Sequence, residues 1–213
     1  MAYSHGTPNS IVKDGLVFAI DPANKRSYVG SGTEIKSLEN SIDTSTLTNG
    51  AFINSNSGIF EFDGVSEYID LTNNITLSGE RTVSFWVNFG QSPYGTILEG
   101  SNGNIYYPFI TGGFIYLRAD DTATSLSYGT VNADEWYNFC VTGNGTTATG
   151  YKNGSSLGTL GDKSVTIHYI NGKVYGMNYD GKNGKLSNCI IYNRALSASE
   201  VLQNYRALKG RFE

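Results

Sequence analysis

Charge is scarce in this chain: 15 Lys and Arg against 19 Asp and Glu leave 16% of 213 residues charged, with a net charge of −4. So few cations provide no basic surface to neutralise phosphates, and nucleic acid is excluded as an expected partner. Long apolar runs are missing as well. The longest, Leu16 to Ile20, falls far short of the roughly 20 residues of a membrane helix, and no membrane insertion is expected. Histidine and cysteine number two each. His5 and His168 suggest no Ser-His-Asp or Cys-His set with a supporting carboxylate, and Cys140 and Cys189 lack the paired spacing of a zinc site. The two cysteines read as reduced, half-buried thiols. No glycine-rich phosphate loop precedes a helix. The first twenty residues show no basic stretch followed by an apolar one, so no secretory leader is expected, and the sequons at Asn74, Asn144 and Asn153 read as turn chemistry.

What the chain has in plenty is aromatic side chains and turn dipeptides. Fifteen tyrosines and ten phenylalanines favour half-buried pleated surfaces. Asn-Gly begins at 49, 102, 144, 153, 171 and 183 and Asp-Gly at 14, 63 and 180, pairs that tolerate the positive φ of tight hairpins. Between them run period-two stretches. Val83, Phe85, Val87 and Phe89 alternate with Ser84, Trp86 and Asn88, and Tyr137, Phe139 and Val141 with Trp136, Asn138 and Cys140. Further strands are expected over 16–21, 59–63, 68–71, 96–99, 107–111, 114–118, 165–169, 174–178 and 186–192, with short ones around 34–37 and 51–54 and a hairpin turning at Asn153-Gly154. One segment reads as a helix. Ser197 and Glu200 form a capping box, Val201, Leu202, Tyr205 and Leu208 make an apolar stripe that should lie against the strands, and Gly210 supplies the stop. The fold class expected is all-β, a two-sheet antiparallel sandwich with one short C-terminal helix. Residues 1–10 read as a flexible arm and 11–213 as one domain.

Four stretches carry a resemblance. They are Ile11-Val-Lys-Asp-Gly-Leu-Val-Phe-Ala-Ile-Asp21 with Ser27-Tyr28 and Gly30-Ser-Gly-Thr33, then Phe62-Asp63-Gly64 with Tyr68-Ile69, then Arg81-Thr-Val-Ser-Phe-Trp86, and last Ile191-Tyr-Asn-Arg-Ala-Leu-Ser197 with Glu200 and Arg211-Phe212. In that order and spacing the chain resembles the laminin-G-like branch of the concanavalin-A-like jelly rolls, especially those of tailed-phage virion proteins. The resemblance implies a jelly roll of about a dozen strands, a fold shared by lectins, glycoside hydrolases and interaction modules. One departure stands out: where the family is usually rich in Trp-Asp-Leu-Ser, this chain has Glu34-Ile-Lys-Ser37.

The chemistry follows from these readings. Glucanases of the superfamily carry a Glu-x-Asp-x-x-Glu strand, whose carboxylates act as nucleophile and general acid. Glu61-Phe-Asp63-Gly-Val-Ser-Glu67 comes close, but its last Glu is one residue too far and Asp63-Gly64 reads as a turn that sends Glu67 to the next strand. No catalytic residue is assigned. Calcium at a sheet rim is the one cofactor the resemblance admits; Asp63, Asp180 and Asn183 read as turn residues, and Asp120-Asp121 as a pair neutralised by Arg118. For sugar binding, Tyr94, Tyr106 and Tyr107 with Asn102 and Asn104 are the candidates, because pyranose rings stack on aromatic faces while amides bind their hydroxyls. The expected role is that of a non-enzymatic phage decoration or structural protein on capsid or tail, assembled in the host cytoplasm. Its expected partners are other virion proteins, further copies of itself in an oligomer or array, and host surface glycans. The alternative is a polysaccharide-acting glycoside hydrolase.

Overall fold

The computed structural model describes residues 10–39, 44–49, 51–53, 58–62, 67–90, 95–100, 105–111, 114–118, 125–162, 164–171 and 184–212; for 51–53, 95, 96, 105–111, 114–118, 125, 126 and 128 the description is of backbone alone. The strands β1 (Leu16–Ile20), β2 (Glu34–Lys36), β3 (Thr44–Thr48), β4 (Ala51–Ile53), β5 (Ile59–Phe62), β6 (Tyr68–Leu77), β7 (Glu80–Phe89) and β8 (Gly95–Glu99) form the first half. The second half holds β9 (Ile105–Thr111), β10 (Phe114–Arg118), β11 (Ser125–Thr130), β12 (Trp136–Asn144), β13 (Thr147–Lys152), β14 (Ser155–Gly161), β15 (Val165–Ile170) and β16 (Gly184–Tyr192). The helix α1 (Ala198–Leu208) follows, continued by a 3-10 turn at Lys209–Arg211. The strands pair antiparallel in two eight-stranded sheets. Sheet A runs β14-β13-β12-β7-β16-β5-β4, with β1 also on β16, and sheet B runs β11-β10-β9-β8-β15-β6-β3-β2.

The alternation in β7 explains the layering. Val83, Phe85, Val87 and Phe89 enter the core between the sheets, where they meet Phe60, Phe139 and Leu186 of sheet A and Leu47, Ile69, Ile167 and Ile170 of sheet B. Nine of the ten β7 residues are nevertheless buried. The reason is a second core on the outer side of sheet A, where Val12, Ala19, Cys140, Ile190, Tyr192 and Leu196 pack under Val201 of α1. Trp86 stacks against Tyr205 and Phe212 at ring distances of 5.5 and 4.4 Å, and Phe212 also reaches Trp136 at 4.6 Å. Asn204, on the buried side of α1, accepts from the Val12 N–H at 2.8 Å and donates to the Tyr192 hydroxyl at 3.0 Å.

Two expectations change. Gly210 does not stop the helix: Lys209 caps it in right-handed geometry and the chain tightens into the 3-10 turn that delivers Phe212 to Trp86. The cysteines are fully buried rather than half-buried. Cys140 lies under α1 and Cys189 in the core between the sheets, so sheet A separates them, and both thiols are free. Strands β3 and β11 and the far half of β6 add to those read from sequence, while 174–178 lies outside the described residues. The Asn153-Gly154 turn is as expected, with φ of 51° and 76° closing β13 onto β14.

Candidate functional site on sheet B

With α1 lying over the outer side of sheet A, β2, β3, β6 and β15 of sheet B present a solvent-facing surface among the described residues. The register builds one row across it. Glu34 pairs with Thr46, Thr46 with Asp70, Asp70 with Tyr169, and Tyr169 with Glu99. The adjacent row, Leu47, Ile69, Ile170 and Leu98, lies in the core, so the pleat turns the Glu34 row outward. Tyr68 pairs with Thr48, and its ring meets that of Tyr169 edge to face at 5.3 Å. His168 sits at a register irregularity of β15, its ring 6.2 Å from that of Tyr169.

Tyr68, Asp70 and Tyr169 are half-buried and Thr46 is exposed, whereas Glu99, at 0% exposure, is wholly covered. The face therefore offers two aromatic rings fixed against each other, the Asp70 carboxylate, the hydroxyls of Thr46 and Thr48 and, at its β2 edge, the exposed Glu34 carboxylate held by Lys36 at 3.2 Å. Such a surface can stack a pyranose and bind its hydroxyls. The sequence reading missed this set because Tyr68 and Tyr169 are neighbours only through the pairing of β6 with β15.

Two clefts border the face. One, of about 310 Å³, opens between β1 and the β3–β6 pair over Phe18, Leu71, Asn73 and Ile75. The other, of about 350 Å³, lies beside edge strand β2, between Glu34 and Lys36 and the loop at Lys25–Thr33.

Of the glycan candidates read from sequence, Tyr94, Asn102 and Asn104 lie outside the described residues, and so do the side chains of Tyr106 and Tyr107. The β9 backbone places Tyr106 opposite Leu98. Glu61 lies on β5 of sheet A, paired with Lys185, while Glu67 precedes β6 of sheet B. The two carboxylates do not share a strand, as expected, and the Asp63-Gly64 turn itself lies outside the described residues. Asp63, Asp120, Asp121, Asp180 and Asn183 lie outside the described residues, and the described ones gather no group of three acidic, His or Cys side chains that could hold calcium. His168 is on a strand as expected, and His5 lies outside the description.

No curated protein matches the sequence. Among solved structures, the binding domain of Paraclostridial Mosquitocidal Protein 1 superposes with a TM-score of 0.66 at 16% identity, over 90% of this chain and 52% of its own. A Trypanosoma rangeli sialidase gives 0.68 at 16% identity, over 96% of this chain and 35% of its own. Botulinum neurotoxin type C, whose cell entry depends on two ganglioside molecules, gives 0.67 at 14% identity, over 92% of this chain and 51% of its own. The chain thus spans about half the length of two of these proteins and about a third of the other, and the likeness at such identity is one of fold. Residues 63–202 match the family model of the concanavalin A-like lectin/glucanases superfamily, and with two thirds of its length inside that match the chain belongs to this superfamily.

Proposed function

We propose that the domain is a non-catalytic glycan-binding module, displayed in many copies on the surface of a tailed-phage particle, where weak single sites gain avidity for host surface polysaccharide. The observation that carries the binding role is the Tyr68–Tyr169 pair, set among Asp70, Thr46 and Thr48 on the face of sheet B that α1 leaves open. Two rings held edge to face need no rearrangement to accept a sugar, which keeps the ordering cost of binding low. Two of the structural neighbours, a toxin binding domain and a toxin whose cell entry depends on gangliosides, are in keeping with this role. A non-catalytic reading is supported by the state of the two carboxylates that lie two strands either side of Asp70: Glu99 is covered, and Glu34 is held by Lys36 at 3.2 Å. Hydrolysis of a glycosidic bond ordinarily needs two carboxylates reaching one sugar.

The test is binding of the purified protein to a panel of host polysaccharides and oligosaccharides, with released sugar assayed in the same samples. Saturable binding without released sugar is expected. Tyr169→Ala should weaken it on the order of tenfold, about 1.4 kcal/mol, in a variant that circular dichroism shows to be folded at the assay temperature. Wild-type binding by Tyr169→Ala and Tyr68→Ala would remove this face from consideration. Released sugar would move the reading to a glycoside hydrolase.

A further inference from the structure

The cleft beside β2 differs in charge from the chain around it. Lys25, Arg26 and Lys36 line it against one carboxylate, Glu34, which holds Lys36 at 3.2 Å. Three cations against one acid give a local surplus of +2 on a chain of net charge −4. Lys25 and Arg26 are exposed and make no ion pair among the described residues. Beside them Val29 is 69% exposed, far more than Val17, the other large apolar side chain left exposed among the described residues.

The loop that carries these groups is braced. The Ser27 hydroxyl donates to the Lys36 carbonyl at 2.8 Å, and the Lys36 N–H returns a bond of 2.8 Å to the Ser27 carbonyl. The Tyr28 ring packs edge-on to Phe60 at 5.2 Å, and its hydroxyl donates to the Gly32 carbonyl at 2.7 Å; burial pushes this phenol above its ordinary value. The Arg26 N–H is held by Asn24 Oδ1 at 3.0 Å. The cations are thus presented from a backbone already ordered, which lowers the cost of gathering them round an anion.

Glu34 belongs both to this cleft and to the row that ends in Tyr169. Three strand spacings separate β2 from β15, about 14 Å at the usual interval between strands, so an oligosaccharide of a few residues lying across the face from Tyr169 would end in the cleft.

We propose that the β2-edge cleft selects acidic glycans, holding a carboxylate or sulfate ester of one sugar between Lys25, Arg26 and Lys36 while an apolar substituent such as an acyl methyl rests on Val29. This rests on the glycan-binding reading of sheet B. It assigns the face a ligand class and assigns the loop the charge discrimination.

The experiment is an array of oligosaccharides that share neutral cores and carry in turn no charge, a sialic acid, a uronate or a sulfate, with methyl esters of the carboxylates. It is probed with the intact protein, with the double variant Lys25→Gln/Arg26→Gln and with Tyr169→Ala. The acidic members should bind on the order of tenfold tighter than their neutral cores, an advantage that esterification, added salt and the double variant each remove. Neutral binding should survive the double variant, whereas Tyr169→Ala lowers both. Preference for sulfates over carboxylates, or the reverse, identifies which anion is read. Equal binding of acid and ester, or an acid preference untouched by the double variant, overturns the cleft while leaving the face standing. Silence of the whole array overturns both.

Discussion

Arg81 carries a full charge into the molecule. It opens the Arg81-to-Trp86 stretch, its side chain is 2% exposed, and it is ion-paired and hydrogen-bonded to Asp162, itself 0% exposed. Asp162 also accepts the Gly145 N–H at 2.8 Å and lies so close to Gly143 that no β-carbon fits there. A buried pair of this kind contributes little beyond an apolar pair of equal volume, but removing one partner strands the other charge away from water. Asp162→Ala is therefore expected to cost about 3–5 kcal/mol, read as a lower denaturant midpoint, whereas Arg81→Met/Asp162→Leu should cost much less. Other residues of the resembling stretches act similarly as fasteners. Asp21 receives Arg211 through both carboxylate oxygens, at 3.1 and 2.9 Å, and Arg194 bridges the Asp14 carboxylate at 3.0 Å and Glu200. What identifies the family in this sequence is mostly what closes the sandwich, which is why it predicts fold better than ligand.

At the scale of the element, the start of α1 shows how a local motif and a distant contact combine. The Ser197 hydroxyl accepts the Glu200 N–H, and Glu200 Oε2 accepts the Ser197 N–H at 2.8 Å. Arg194 grips the same carboxylate at 3.1 and 2.6 Å. These bonds, the guanidinium first, hold the Glu200 carboxyl down at about 2. Its folded value lies below its unfolded one, so the unfolded chain binds the extra proton and the stabilisation is complete above the unfolded value of about 4.3, then lost as pH falls toward about 2. Melting temperatures of the wild type and Glu200→Gln should differ by a constant margin at neutral pH and converge in acid. A margin that persists at the acid end would show that the contact is not electrostatic. The capping box was legible because its residues are three apart, as were the strands with aromatic or β-branched alternation. Strand β3, Thr-Ser-Thr-Leu-Thr, was not, because at its described positions only Ser45 and Leu47 are buried and the threonines alternate outward. The Tyr68–Tyr169 site was illegible for a different reason: its members are a hundred residues apart, and no local pattern encodes the pairing of β6 with β15.

For the whole molecule the arrangement is three layers with two separate cores, each holding one thiol. Burial raises both thiols, Cys140 above the ordinary range and Cys189 up to about 12, so neither supplies thiolate while the layers stay closed. The layer over Cys140 is one helix and a short tail, while Cys189 is shut between two sheets. In rising denaturant a thiol reagent should therefore label Cys140 before Cys189, and simultaneous labelling would mean that helix and sandwich open as one unit. The same layering has a practical side. Gln203 of α1 donates to the Ser10 carbonyl at 2.9 Å, and Phe212 rests on Trp86, so the first and last described residues both sit on the covered side of sheet A. A tether joined at either position would hold the molecule by its back. On a bead, a sensor chip or a repeating shell, every copy attached in this way would turn the tyrosine face and the β2 cleft in the same direction, away from the support.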